Sequence, residues 1–211
     1  LEPMGFIKFD ILGLSTLRMI EDCIEKILRR HHGIANPTFE DIKKFYDSNL
    51  HPDKIDLNDQ AVYENIFHKG KWVGIFQFTE NGAQTFAKQV KPRSIIDISA
   101  ITSIYRPGPL SAGVERELVE AHNSPENVKY INDLVQEVTE ETHGFLIFQE
   151  QIAMLAHKLG RNLTLDEGNL LRKVLTKKGT GKGHEVKDAI HEKFVLGCKD
   201  KGMPEWQAED L

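Results

Sequence analysis

Lys8 and Asp10 stand two residues apart in Gly5-Phe6-Ile7-Lys8-Phe9-Asp10-Ile11-Leu12-Gly13-Leu14. Read with a period of two, Phe6, Lys8 and Asp10 share one face, and Ile7, Phe9 and Ile11 share the other. The pattern predicts a short strand with its aliphatic side packed inward. Its other side presents an ammonium and a carboxylate about 7 Å apart along the strand. A carboxylate at a strand end, beside a lysine and ahead of the Gly13 turn, suits a divalent cation and a phosphate. Mg²⁺ takes one or two protein carboxylates and completes its octahedron with water and phosphate oxygens. On these residues alone the alternative is an edge strand carrying a solvated Lys–Asp pair worth little.

Two further places offer cations in fixed positions. In Tyr105-Arg106-Pro107-Gly108-Pro109 two prolines flank a glycine, which excludes helix. The resulting rigid turn projects Tyr105 and Arg106 from the end of an apolar helix. Arg172 and Lys173 lie off the apolar stripe of a helix that Thr164 and Glu167 open as a capping box. From Arg172 to Lys187 there are six Lys or Arg and one acid, whereas from Glu115 to Glu141 acids outnumber bases. A basic stripe on a chain of net charge −5 can hold a polyanion locally, or it can be a solvated helix face. Gly179-Thr180-Gly181-Lys182-Gly183 reads as a flexible loop but not a Walker loop: Thr176 stands where the first glycine belongs, and Gly183 follows the lysine.

Lys8-Phe9-Asp10-Ile11-Leu12-Gly13-Leu14 resembles the segment that carries the third catalytic aspartate of the C-family DNA polymerases, the alpha subunits of bacterial DNA polymerase III. Four more stretches resemble that family in its order: Gly74-Ile75-Phe76-Gln77-Phe78, Tyr105-Arg106-Pro107-Gly108-Pro109-Leu110, Phe148-Gln149-Glu150-Gln151, and Leu170-Leu171-Arg172-Lys173 with Lys177-Lys178. The resemblance implies template-directed nucleotidyl transfer with Mg²⁺, residues 1–14 being the edge of a polymerase-β-like palm and 15–211 the fingers. It implies that Asp10 binds metal and helps to activate the primer hydroxyl, with Lys8 against the incoming triphosphate and favouring the ionised carboxylate. Arg106, Arg172 and Lys173 become nucleotide contacts, since a guanidinium holds phosphate oxygens at two points. Where this chain has Arg172-Lys173 the family commonly has two arginines, and lysine keeps the charge but loses the fork. Lys177, Lys178 and Lys182 become sequence-blind contacts to DNA phosphates. The implied partners are primer–template DNA, deoxynucleoside triphosphates, a sliding clamp and other replisome subunits.

The family's other two aspartates come from an Asp-x-Asp pair. Asp53-Lys54-Ile55-Asp56 has the wrong spacing, so the pair is expected upstream and these 211 residues alone are not expected to catalyse. The chain starts without methionine and stops inside Pro204-Glu205-Trp206-Gln207-Ala208-Glu209-Asp210-Leu211, a helix just begun. Both ends are therefore expected to be cuts in a longer chain. The alternative function is a non-catalytic helical module that binds nucleic acid or protein.

Forty per cent apolar content is that of a globular protein, and no apolar run approaches the ~20 residues of a membrane span. Without a leader at its start, and with Cys23 and Cys198 at no metal-like spacing, a cytoplasmic protein with free thiols is expected. The nine histidines contain no pair spaced for zinc.

The predicted fold is mainly helical with a β fragment at the start. Helices are predicted over 15–30, from Thr38, after an Asn58 cap, over 80–90, over 94–104 (largely apolar), from Gly113 to His122, around 128–138, from Gln149, after Thr164, and ahead of Gly202. Phe39, Ile42 and Phe45 are expected inward, as are Val62, Ile66 and Phe67. The aromatic run Trp72–Phe78 reads as a strand or buried extended piece, with Gln77 serving nearby backbone groups. Gln149 and Glu150 either cap their helix or lie near the nucleotide, and Tyr105 either packs or stacks on a base.

Overall fold

The computed structural model describes residues 4–7, 9–106, 113–176 and 182–211, and their side chains outside 175–186. The described residues are mainly helical. Helix α1 (Ser15–His31) buries Ile24 and Leu28 and ends where Gly33 takes φ +68°. Helix α2 (Phe39–Asn49) opens on a reciprocal cap: Thr38 Oγ1 accepts from Asp41 N, and Asp41 Oδ2 accepts from Thr38 N at 2.8 Å. The two helices pack together, with the His32 ring edge-on to Phe45. Ile42 and Phe45 are half-buried, but Phe39, the first helical residue, is exposed.

Helix α3 (Gln60–Val62) continues as a π-helical stretch (Tyr63–His68), and with α4 (Asn81–Val90), α5 (Ile95–Ile104) and α6 (Val114–Asn123) it encloses one core. Its cap is Asp59, whose carboxylate accepts from Ala61 N, and not Asn58. The widened π turn places Tyr63 and Phe67 inside and leaves Val62 exposed. Phe67, Trp72 and Phe78 form an aromatic group in which Trp72 and Phe78 stack at 5.4 Å. Ala83, Phe86, Ala87 and Val90 of α4 and Ile101 and Ile104 of α5 complete that core, each large apolar side chain contributing about 1.5–3 kcal/mol.

Helices α7 (Asp133–Thr139), α8 (Gln149–Leu159), α9 (Leu165–Thr176), α10 (Lys182–Asp200) and α11 (Glu205–Asp210) build the second half. Leu155 and Leu159 of α8 meet Val195 and Cys198 of α10, and Ala156 and Ile190 meet Leu163. Burial pushes the Cys198 thiol up, so this cysteine is an inert core residue. Glycines set the helix spacing. A Cβ on Gly168 of α9 would lie 2.5 Å from Ala153 O of α8, and one on Gly197 of α10 would lie 2.2 Å from Leu159 O.

Four further sequence expectations change. Trp72–Phe78 is not a strand: Ile75 N donates to Trp72 O, Phe78 N donates to Ile75 O, and Gly74 and Gln77 take φ +80° and +65°. These tight turns bury Trp72 and Phe78 while leaving Val73 wholly exposed, so the aromatic content served core packing and not a sheet. Residues 4–7 and 9–14 do not form the palm strand, because their apolar side chains face solvent on both sides, Ile11 being 98 % exposed. A strand needs a neighbour for its backbone and for its apolar face, and none is present among the described residues. Residues 128–132 are not helical; α7 begins after Asn132, whose side chain accepts from Val135 N. Lys182 and Gly183 are helical and not part of a loop.

Candidate functional site

Asp10 sits in the exposed segment ahead of α1. Lys8, its expected neighbour, lies outside the described residues, as do Pro107 to Leu110, Lys177 and Lys178. Lys182 opens α10, and its side chain is likewise not described.

Arg106 follows the last turn of α5, whose start is fixed by a reciprocal cap between Ser94 and Asp97. Its Nε donates to Thr102 O at 3.4 Å, a long contact that leaves the guanidinium reoriented at little cost. Arg106 lines a cavity of about 470 Å³ with Gln77, Thr79, Glu80, Thr102 and Tyr105. The stretch around Gln77 and the stretch around Arg106, distant in sequence, thus meet at one opening. Gln77 is exposed there, in a left-handed backbone conformation. Tyr105 packs instead of projecting: a Cβ on Gly82 would lie 2.0 Å from its hydroxyl oxygen, so only glycine leaves room for the ring on α4.

Arg172 and Lys173 are carried by α9. Glu167 fixes the start of that helix by accepting from Thr164 N at 2.9 Å, as its capping role predicts. It also accepts from Lys193 Nζ of α10 at 2.6 Å. The Lys193 ammonium, then the Thr164 N–H, hold the Glu167 carboxyl down at about 2. On the next helical turn Arg172 Nη1 donates to Gln149 Oε1 at 2.5 Å. Gln149 therefore orients an arginine of the neighbouring helix, while Gln151 does the capping. Gln151 is buried, accepts from Ile147 N and Phe148 N at 2.9 Å, and donates to Val138 O and Thr142 Oγ1. All its hydrogen-bonding capacity is used, which locks the turn ahead of α8 to the end of α7. Glu150 and Lys173 are exposed, and Arg172 is half-buried. Neither Arg172 nor Lys173 lines the Arg106 cavity, so the described residues hold the nucleotide candidates in two places.

A third group was not legible in the sequence. Asp97 of α5, His122 of α6 and His143, in the turn after α7, converge so that one ligand atom of each lies within 4.8 Å of the others. His122 Nδ1 lies 2.9 Å from His143 Nε2 and 3.7 Å from Asp97 Oδ1. Burial pushes the pKa of both imidazoles down, and the Asp97 carboxylate opposes that shift. The histidines are 21 positions apart, so no spacing rule would have paired them.

A family model described as the bacterial DNA polymerase III alpha subunit finger domain matches residues 16–202. The chain belongs to this family. Among its relatives are DNA polymerase III alpha subunits of Campylobacter jejuni and Aquifex aeolicus, each 31 % identical over 211 residues, which is all of this chain and 16 % of the relative. That of Staphylococcus aureus is 30 % identical over 204 residues, 97 % of this chain and 17 % of the relative. The chain thus spans about a sixth of the length of the relatives it matches. The family match begins at Thr16, one residue into α1, and ends at Gly202, past α10. It therefore covers the first core and the second as far as α10, and leaves Asp10 and α11 outside.

Proposed function

We propose that the chain is the fingers of a replicative DNA-directed DNA polymerase, holding the incoming deoxynucleoside triphosphate against primer–template DNA. The family match over residues 16–202 carries this reading. The chain's geometry supports it with two rigidly based arginines. Arg106 stands at a cavity mouth, and Arg172 is aimed by Gln149 from a helix clamped at Glu167. Both offer planar, permanently charged donors for phosphate oxygens. Lys173 adds charge without the fork, and Lys177, Lys178 and Lys182 take up DNA phosphates.

Residues 1–14 belong to the palm in this reading, and the apolar side chains of 6–14 become covered by that domain. Asp10 is one exposed carboxylate, and Mg²⁺ accepts one or two from protein, so Asp10 fits one corner of such a site and not a whole one. When bound, paired ions stabilise the attacking and leaving oxygens of the displacement. Asp10 would bind metal beside the primer hydroxyl, and Lys8 would contact the incoming triphosphate. The sliding clamp and the other replisome subunits act through other regions, in the cytoplasm.

Asp10→Asn in the complete polymerase chain tests the assignment of Asp10. Loss of nucleotide incorporation with DNA affinity kept supports it. Unchanged incorporation would leave a binding module as the reading of this chain.

A further inference from the structure

We propose that Asp97, His122 and His143 form a binding site for a zinc ion that ties α5, α6 and the turn after α7 together. This inference is independent of the polymerase reading. A zinc site of three protein ligands uses imidazole nitrogens and carboxylate oxygens at about 2.0–2.2 Å and leaves a fourth position to water. Ligand atoms on such a tetrahedron stand about 3.3 Å apart. The observed 2.9 Å between the two ring nitrogens and 3.7 Å from His122 Nδ1 to Asp97 Oδ1 bracket that separation. Shifts of about 0.4 Å bring these two separations to the tetrahedral value, and the third pair, His143 and Asp97, starts from within 4.8 Å.

Asp97 is held from behind. The other oxygen of Asp97 accepts from Arg93 N at 2.8 Å and Ser94 N at 3.0 Å, so Oδ1 is the oxygen that faces the histidines. His122 is 5 % exposed in the last turn of α6. His143 takes φ +54°, and its turn is closed by Gly144 N donating to Thr139 O at 2.9 Å. The two N–H groups on Asp97 are the kind of outer partner that orients a metal ligand. His143 also lines a cavity of about 330 Å³ with Glu117 and Glu120, which gives a cation a route to its ring. That mouth admits a hydrated cation and a bound water.

In the present structure the 2.9 Å contact between the two rings needs one N–H. Zinc takes its place when that proton moves to the far nitrogen of the same ring, leaving both facing nitrogens with lone pairs.

The test uses the complete chain, stripped with a chelator and then given Zn²⁺ alone. His143→Asn is the variant, since asparagine tolerates the left-handed backbone. The variant is expected to bind one zinc ion fewer than the parent, or to bind that ion about tenfold or more weakly. Equal stoichiometry and affinity in the two chains would overturn the proposal. A second measurement needs no variant: acylation of His143 by an imidazole-directed reagent, read by mass spectrometry. Labelling that falls with Zn²⁺ and returns with chelator supports the site, and labelling indifferent to Zn²⁺ overturns it.

Discussion

Gln149 Oε1 accepts from Arg172 Nη1 across the α8–α9 interface, joining two stretches that lie 23 residues apart. An arginine on a long flexible stem loses rotamer freedom when it binds phosphate. Gln149 removes part of that freedom beforehand. Gln149→Ala in the complete polymerase should therefore weaken nucleotide binding by about 1 kcal/mol, or roughly fivefold. Steady-state KM for the nucleotide, compared with DNA affinity, checks it. Arg172→Lys should be worse than Gln149→Ala, because it discards the fork itself.

Gly168→Ala sets two effects against each other. Alanine in a helix gains about 1 kcal/mol over glycine. The new Cβ would meet Ala153 O at 2.5 Å, and overpacking of this kind costs about 1–3 kcal/mol. Because the obstacle is backbone and not a mobile side-chain tip, the clash should win. Thermal melting should show net destabilisation, together with loss of the Arg172 orientation as a higher nucleotide KM.

Gln151→Leu removes a side chain that makes four hydrogen bonds inside the protein. Thr142 Oγ1 keeps its bonds to Thr139 O and Phe145 O, but the Ile147 and Phe148 N–H groups are left facing leucine. A stranded buried donor costs about 1–3 kcal/mol, and these two are part-buried, so about 2 kcal/mol should be lost in total. The denaturant midpoint is the measurement.

Glu167 gives a pH signature. Its carboxyl is held at about 2 in the folded chain, chiefly by Lys193, against an ordinary value of 4.5. A depressed folded pKa means that its stabilising contribution is fully present above about 4.5 and disappears as pH falls towards about 2. Glu167→Gln should therefore melt below the parent at pH 6, with the gap closing by pH 2. A gap that stays constant across that range would show that the Lys193 contact carries no net stability.

Helices such as α1 and α8 were legible because they repeat apolar residues at helical spacing, and the Thr164–Glu167 box was readable from two residue types. What sequence could not supply was decided by contacts between distant positions. The alternation in 6–14 looks the same whether or not a sheet is there to receive it. In Trp72–Phe78 aromatic content suggested a strand, but Gly74 and Gln77 in left-handed conformations turn the chain twice. Gln149 and Gln151 are two positions apart and chemically identical, and only the packing of α7 and α9 around α8 tells the one that orients Arg172 from the one that caps. Likewise His122 and His143 carry no periodic relation, and their meeting depends on how α5 and α6 pack.

In the proposed function this chain grips the triphosphate of an incoming nucleotide. Rapid-quench incorporation by the complete polymerase, comparing Arg106→Ala and Arg172→Ala with the parent, tests it most directly. Each loss of a charge-assisted contact should raise the nucleotide dissociation constant about 10- to 100-fold, with primer–template affinity within about twofold of the parent. Unchanged nucleotide binding in both variants, or a fall in DNA affinity as large as the fall in nucleotide affinity, would contradict the account.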